Sequence, residues 1–296
     1  MLAAFTELLE YARGRGAALG AFTCYDLATA TGVVTAAERR RAPVVLLVSG
    51  RAFSERGGEA LVSGLRRLAD GPGPDVCVQL DHVTGLDSVR LAVAAGANAV
   101  MVDGSHLPFE RNVALVSEAI SIARPAGVEV EGELGRLAGD EDVAGVGGIG
   151  ALTDPAQAKS FVAATGLACL AVSIGNLHGT YRGTPHLDFD LLAEISATVG
   201  TPLALHGASG IDASDIERAR RTGISKVNVN TELRVQWLAA VTDSARSRVA
   251  GHDLLGLQRD LAAAICDTVD AKLGLLGWSV DQHSVVPTDD NERMAK

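Results

Sequence analysis

The stretch Val76-Cys77-Val78-Gln79-Leu80-Asp81-His82, followed by the helical pattern Leu86–Ala94 and the apolar run Ala97–Val102, reads as strand, helix, strand. Its first run is short and mostly apolar, as a strand should be. It stops on a carboxylate and an imidazole, two groups a core does not need. The same alternation extends along the chain. Further strand-like runs are Ala18–Cys24, Pro43–Ser49, Val128–Glu133, Cys169–Ile174, Pro202–Leu205 and Ser225–Val229. Helical patterns lie between them at Leu27–Arg40, Glu59–Leu68, Asn112–Ala123, Pro155–Ala164, Leu191–Thr198 and Ala213–Thr222. Eight strands alternating with helices predict an α/β protein with a closed parallel sheet, a single-domain (β/α)8 TIM barrel. A doubly wound open sheet is the alternative. It would carry a glycine-rich strand-to-helix turn such as GxGxxG, and none occurs in that setting. Glu232–Arg246 and Leu254–Leu275 read as extra C-terminal helices, so the barrel is expected over residues 1–283, with a flexible polar tail at 284–296.

Composition narrows the class of partner. A chain of 296 residues that is 47% apolar can bury a sizeable core. No apolar run approaches the roughly 18 residues of a membrane span, and Met1–Gly16 has no basic segment followed by an apolar one. Cys24, Cys77, Cys169 and Cys266 are far apart and mostly in apolar runs, which points to buried reduced thiols in a cytoplasmic protein. The net charge of −10 argues against nucleic acid as the main partner and leaves room for a local cationic pocket.

Three histidines stand where strand-like runs stop: His82, His178 and His206, the last two followed at once by Gly179 and Gly207. A lone histidine at a strand end is usually structural. Three of them, each beside Asp or Gly, point to a catalytic zinc centre, because three neutral imidazoles leave a fourth position open. Asp81 is placed to carry a proton beside such a centre, or else caps the following turn. Asp103 and Glu133 also end strands; either could orient a ligand or hold the metal in a second position. The segments Gly207-Ala208-Ser209-Gly210 and Asn228-Val229-Asn230-Thr231 follow the last two strands, where barrels commonly bind phosphate. The plainer alternative is two ordinary turns capped by Asn230 or Thr231. Lysines are few, and only Lys226 lies in a strand that could aim it into the barrel, so metal chemistry is preferred over a Schiff base. Ala138–Ala151, acidic and glycine-rich, reads as a surface loop or a lid.

Taken together, these segments resemble the class II, zinc-dependent ketose-bisphosphate aldolases. The similarity is carried by Gln79–His82, Met101–Ser105, Val130–Gly135, Gly139–Asp142, Gly175–Gly179, Leu205–Gly210 and Lys226–Glu232, in order along the chain. It implies that His82, His178 and His206 bind the metal, with Asp103 and Glu133 as acidic residues near it. It implies that Asp81 transfers a proton at the aldehyde oxygen and Glu141 at the nucleophilic carbon. Ser49, Gly179, Gly207, Ser209, Asn228, Asn230 and Thr231 match the site for dihydroxyacetone phosphate. A monovalent cation, Na+ or K+, near Gly179 is also implied, as is a homodimer or homotetramer acting on a phosphorylated small molecule.

Two departures bear on the substrate. The family's Gly-Ala-Phe-Asn pattern reads Gly20-Ala21-Phe22-Thr23 here, and its Asp-Pro-Arg segment before the last helix reads Asp253-Leu254-Leu255. Leucine cannot hold the second phosphate, for which Arg259 is the nearest substitute. The expected substrate is fructose 1,6-bisphosphate or tagatose 1,6-bisphosphate, with a non-phosphorylated aldehyde as the alternative. A metal-dependent hydrolase usually shows an early His-x-His pair, absent here, and a non-catalytic partner subunit would not need Asp81, Glu141 and all three histidines.

Overall fold

The computed structural model describes residues 1–137, 150–179 and 185–279. Among them the strands are β1 (Leu19–Thr23), β2 (Val44–Ser49), β3 (Val76–Val83), β4 (Ala99–Val102), β5 (Glu129–Leu134), β6 (Cys169–Val172), β7 (Leu203–Leu205) and β8 (Ile224–Val229). They pair in parallel in sequence order and close β8 onto β1 through Gly20↔Val227 and Ala21↔Asn228. The fold is a single-domain (β/α)8 TIM barrel. The helices are α1 (Phe5–Gly14), α2 (Leu27–Arg40), α3 (Gly50–Ser54), α4 (Gly58–Ala69), α5 (Leu86–Ala95), α6 (Phe109–Ala123), α7 (Pro155–Thr165), α8 (Phe189–Thr198), α9 (Ala213–Thr222), α10 (Thr231–Val249) and α11 (Leu254–Leu275). Every strand is buried almost end to end, because one face meets the barrel interior and the other meets helices.

Several helices begin on an aspartate just past a strand or loop. The Asp26 carboxylate accepts from Thr29 N at 2.7 Å, Asp154 from Gln157 N at 2.8 Å and Asp188 from Leu191 N at 2.9 Å. Each supplies an acceptor to an otherwise unpaired first-turn amide, worth about 1 kcal/mol.

The expected element boundaries differ from the observed ones in informative places. β3 runs to Val83 instead of ending at Leu80, and β6 ends at Val172, so His178 stands on a loop beyond the strand. Helix α1 was not anticipated, although Phe5, Leu8, Leu9 and Ala12 have helical spacing and all four are buried. The C-terminal helices are present as expected. α11 lies along α2, tied by an Arg40–Asp270 pair whose two contacts are 2.7 and 2.6 Å. All four cysteines are free and buried. No helix is long and apolar enough to cross a membrane among the described residues. The acidic loop residues 138–149 and the tail 284–296 lie outside the described residues.

Candidate metal centre and active site

The strand ends converge on three imidazoles. Ring centroids are 4.9 Å apart for His82–His178, 4.9 Å for His82–His206 and 6.0 Å for His178–His206. One nitrogen from each lies within 4.8 Å of the others.

How His82 arrives there is a backbone matter. Successive residues of a strand point to opposite faces, so Asp81 and His82 cannot both look inward from regular β-structure. The chain resolves this with a register shift between Leu80 and Val83 and a left-handed φ of +52° at His82. Such irregularities re-aim side chains beside functional sites, and left-handed backbone costs a non-glycine residue roughly 1–2 kcal/mol. Asp81 stays fully buried, its Oδ2 accepting from Asn228 Nδ2 at 3.0 Å, and it caps no turn.

His178 and His206 are set by small residues and one amide. Gly207 has φ +62°, and a Cβ there would run into the Leu177 carbonyl. Buried Asn176 donates to the His206 carbonyl at 3.0 Å and to Val172 O at 3.3 Å, while its own oxygen accepts from Ile174 N at 2.8 Å. The loop carrying His178 is thereby fastened to the strand carrying His206.

The second nitrogen of two rings meets a carboxylate. His82 Nδ1 is 3.2 Å from Asp103 Oδ2, and His206 Nε2 is 2.8 Å from Glu131 Oε1. Burial pushes the Asp103 carboxyl up, but hydrogen bonds and charge from His82 and donation from Ser105 outweigh it, and the carboxyl is held below its ordinary range. Glu131 behaves alike: burial raises it, and Lys226 and His206 outweigh that. Both carboxylates are acceptors only, so each facing ring nitrogen carries the proton. The other two nitrogens, His82 Nε2 and His206 Nδ1, are 2.9 Å apart. Burial depresses the basicity of His206, partly offset by Glu131, and depresses that of His178 further with help from the other two imidazoles. The close approach of these two nitrogens, with a nitrogen of His178 within 4.8 Å, suits a cation held among the three rings.

Polar atoms around this point are buried without a protein partner: His178 Nε2, Asp81 Oδ1, Glu133 Oε2 and Asn228 Oδ1. Unpaired buried polar atoms are costly and expected to be few. Their concentration at one end of the barrel, with three imidazoles among or beside them, suits a bound divalent metal and a polar ligand. His82, Asp103 and Glu133 form a second cluster with metal-ligand spacing. Burial and the nearby Asp103 charge push the Glu133 carboxyl up to about 8.

Below this layer is another. Gln79, Glu131 and Lys226 each precede an inward residue (Asp81, Glu133, Asn228) by two positions and therefore point the same way, one step deeper. Lys226 Nζ donates to Glu131 Oε2 at 2.7 Å and Gln79 Nε2 donates to the same oxygen at 2.9 Å. Lys226 has no exposed surface. An ammonium locked in that pair is no imine-forming nucleophile.

The family model for "Fructose-bisphosphate aldolase class-II" matches residues 3–280. The chain belongs to the class II fructose-bisphosphate aldolase family. It is 36% identical over 285 residues to a probable fructose-bisphosphate aldolase of Bacillus subtilis (strain 168), covering 94% of this chain and 98% of that protein. Among solved structures, the YdjI aldolase of Escherichia coli K12 superposes with a TM-score of 0.83 at 31% identity, covering 94% and 98% of the two chains. A putative fructose-1,6-biphosphate aldolase of Coccidioides immitis gives 0.83 at 28% identity, covering 93% and 96%. This class II aldolase is a lyase.

Most residues singled out from the sequence stand at the carboxyl end of the aldolase barrel. Ser209, Asn228 and Asn230 are buried there. Gly179 has φ +87°, Asn230 and Thr231 open α10, and Tyr25 Oη donates to Asn230 Oδ1 at 3.1 Å. Ser49 is buried and caps α3, its Oγ accepting from Ala52 N at 3.2 Å. Glu141 lies outside the described residues. Sequence reasoning missed Glu131, Gln79 and Asn176. The first two share the period-two alternation with Glu133 and Asp81, a signal that could have found them.

Proposed function

We propose that this class II aldolase is metal dependent and catalyses reversible aldol cleavage with dihydroxyacetone phosphate as the nucleophile. The observation that carries the proposal is the convergence of three imidazoles, with His82 Nε2 and His206 Nδ1 2.9 Å apart and His178 Nε2 buried and unpartnered beside them. His82, His178 and His206 would hold Zn2+, whose preference for a few imidazole ligands suits this set. Asp103 and Glu133 stand next to it as further acidic groups. A bound zinc supplies positive charge that stabilises developing negative charge on a ketone oxygen.

The chain's own groups then have separable tasks. Asp81, with one oxygen on Asn228 and the other unpartnered, holds or delivers a proton at the aldehyde oxygen. Glu141 exchanges the proton at the nucleophilic carbon. Gly179, Gly207, Ser209, Asn228, Asn230 and Thr231, with Ser49, bind dihydroxyacetone phosphate through backbone amides and small polar side chains at the start of α10. A monovalent cation near Gly179, Na+ or K+, completes that site. The enzyme works in the cytoplasm as a homodimer or homotetramer.

Fructose 1,6-bisphosphate or tagatose 1,6-bisphosphate is the default substrate. A second reading, an aldehyde without a terminal phosphate, is favoured by one observation. Leu255 is 65% exposed in a cleft with Trp237, Leu254 and Arg259, while the adjacent Asp253 is engaged with Arg248 and with Gly256 N. That cleft shares Asp26 and Trp237 with a neighbouring cavity of about 240 Å³ lined by Thr23, Tyr25, Thr29, Leu233, Arg234 and Leu238. A panel of phosphorylated and non-phosphorylated aldehydes offered with dihydroxyacetone phosphate tests both readings. Addition to at least one aldehyde is expected, and none with any aldehyde would sink the proposal.

A further inference from the structure

The buried pair beneath the metal centre has no task in the chemistry above, yet it touches a proposed metal ligand. Lys226 Nζ, Gln79 Nε2 and His206 Nε2 all converge on Glu131, at 2.7, 2.9 and 2.8 Å. All four side chains are fully buried. Lys226 also lies 5.7 Å from the ring centre of Phe5 on α1, which closes this end of the barrel. A buried ion pair is rarely retained for stability alone, since desolvation of both charges offsets most of their attraction.

We propose that Lys226 is a positioning residue for the metal centre, acting through Glu131 on His206. Glu131 offers two oxygens. Lys226 and Gln79 occupy Oε2 from below, which leaves Oε1 turned towards the imidazole. With both donors on Oε2 the carboxylate is kept from turning, and Oε1 stays on His206 Nε2. His206 then carries its proton on Nε2 and presents the bare Nδ1 to the centre. Without the ammonium, Oε2 is held by Gln79 alone, the carboxylate is free to turn, and Oε1 no longer fixes the imidazole proton on Nε2. A lysine on β8 thus sets the tautomer of a histidine on β7 without touching metal or substrate. Carboxylates behind metal-binding histidines are common, and losing one typically weakens metal binding 10–100-fold. Here the partner of that carboxylate is a charge buried one layer deeper.

The inference rests on His206 as a metal ligand, so its test separates the two. The first measurement uses the metal-free wild-type protein: nitrogen-15 NMR of the histidine rings is expected to show His206 protonated at Nε2 and bare at Nδ1. The second titrates wild type, Lys226→Gln and Phe5→Leu with Zn2+ against a chromophoric chelator. Glutamine keeps a donor of similar length but no charge, and it avoids the folding risk of an apolar replacement beneath an ionised carboxylate. Lys226→Gln is expected to bind Zn2+ about 10–100-fold more weakly and to shift His206 towards the Nδ1–H form. Phe5→Leu loosens the same layer while keeping the ammonium, and is expected to do neither. A wild-type His206 protonated at Nδ1 would overturn the assignment. So would a folded Lys226→Gln protein with wild-type Zn2+ affinity and tautomer. If wild type itself binds no Zn2+, the metal-centre reading fails, and the role of Lys226 fails with it.

Discussion

His82 Nε2 and His206 Nδ1 stand 2.9 Å apart, and each ring has its other nitrogen on a carboxylate, Asp103 or Glu131. On the proposed reading, the carboxylates aim these two facing nitrogens at a metal before it arrives. Pre-organisation of this kind moves part of the cost of metal binding into folding, where burial and the left-handed turn at His82 are sustained by the barrel around them.

Asp103 offers the simplest check of that arrangement. It accepts from His82 through one oxygen and from Ser105 N and Oγ through the other, at 2.9 and 2.7 Å. Asp103→Asn should keep the fold but weaken Zn2+ binding about 10–100-fold, as read by chelator competition. Unchanged affinity would mean the carboxylate does not set the His82 ring.

Glu133 predicts a pH effect in the metal-free protein. Burial, and then the Asp103 charge, raise its carboxyl from 4.5 to about 8. Between those values the folded protein binds a proton that the unfolded chain has released, so this group makes stability fall as pH rises. The slope is at most about 1.4 kcal/mol per pH unit. Glu133→Gln removes that loss, so its urea midpoint relative to wild type should rise from pH 5 to pH 8. A constant difference across that range would contradict the assignment.

Much of this was legible in the sequence, for a physical reason. Strands buried on both faces read as plain apolar runs, and β2 and β8 were placed to within a residue. α2, α9 and α11 appear with the expected limits. His82 and His206 are legible because each directly follows such a run, whereas His178 stands on the loop beyond one. What could not be read was the kink at His82, since alternation alone sends that side chain outward and only a tertiary bulge returns it. Glu131 was equally hard to assign. A charged residue inside a strand declares its partners only when β7 and β8 bring His206 and Lys226 beside it.

Glu141 separates proton transfer from metal binding. Glu141→Ala should retain Zn2+ yet slow solvent proton exchange into dihydroxyacetone phosphate by roughly 10²–10⁴-fold, the usual contribution of a positioned acid–base group. Exchange at the wild-type rate would remove Glu141 from the mechanism.

On the proposed reading, substrate choice turns on Leu255 and Arg259, which line one cleft. Hydrogen bonds to a charged group are worth about 1.5–3 kcal/mol, so a missing guanidinium should depress kcat/KM for fructose 1,6-bisphosphate by roughly 10–150-fold. Leu255→Arg should recover part of that loss. If wild type instead cleaves the bisphosphate efficiently and Arg259→Ala abolishes this, Arg259 has taken over the second phosphate.

The central claim is a catalytic zinc held by His82, His178 and His206. Metal analysis of the purified protein, with aldol activity followed through chelation and re-addition of Zn2+, tests it most directly. About one zinc per chain is expected, with activity lost with the metal and restored by it, and with a His206→Ala protein lacking both. Full aldol activity in a chelated, metal-free protein would contradict it.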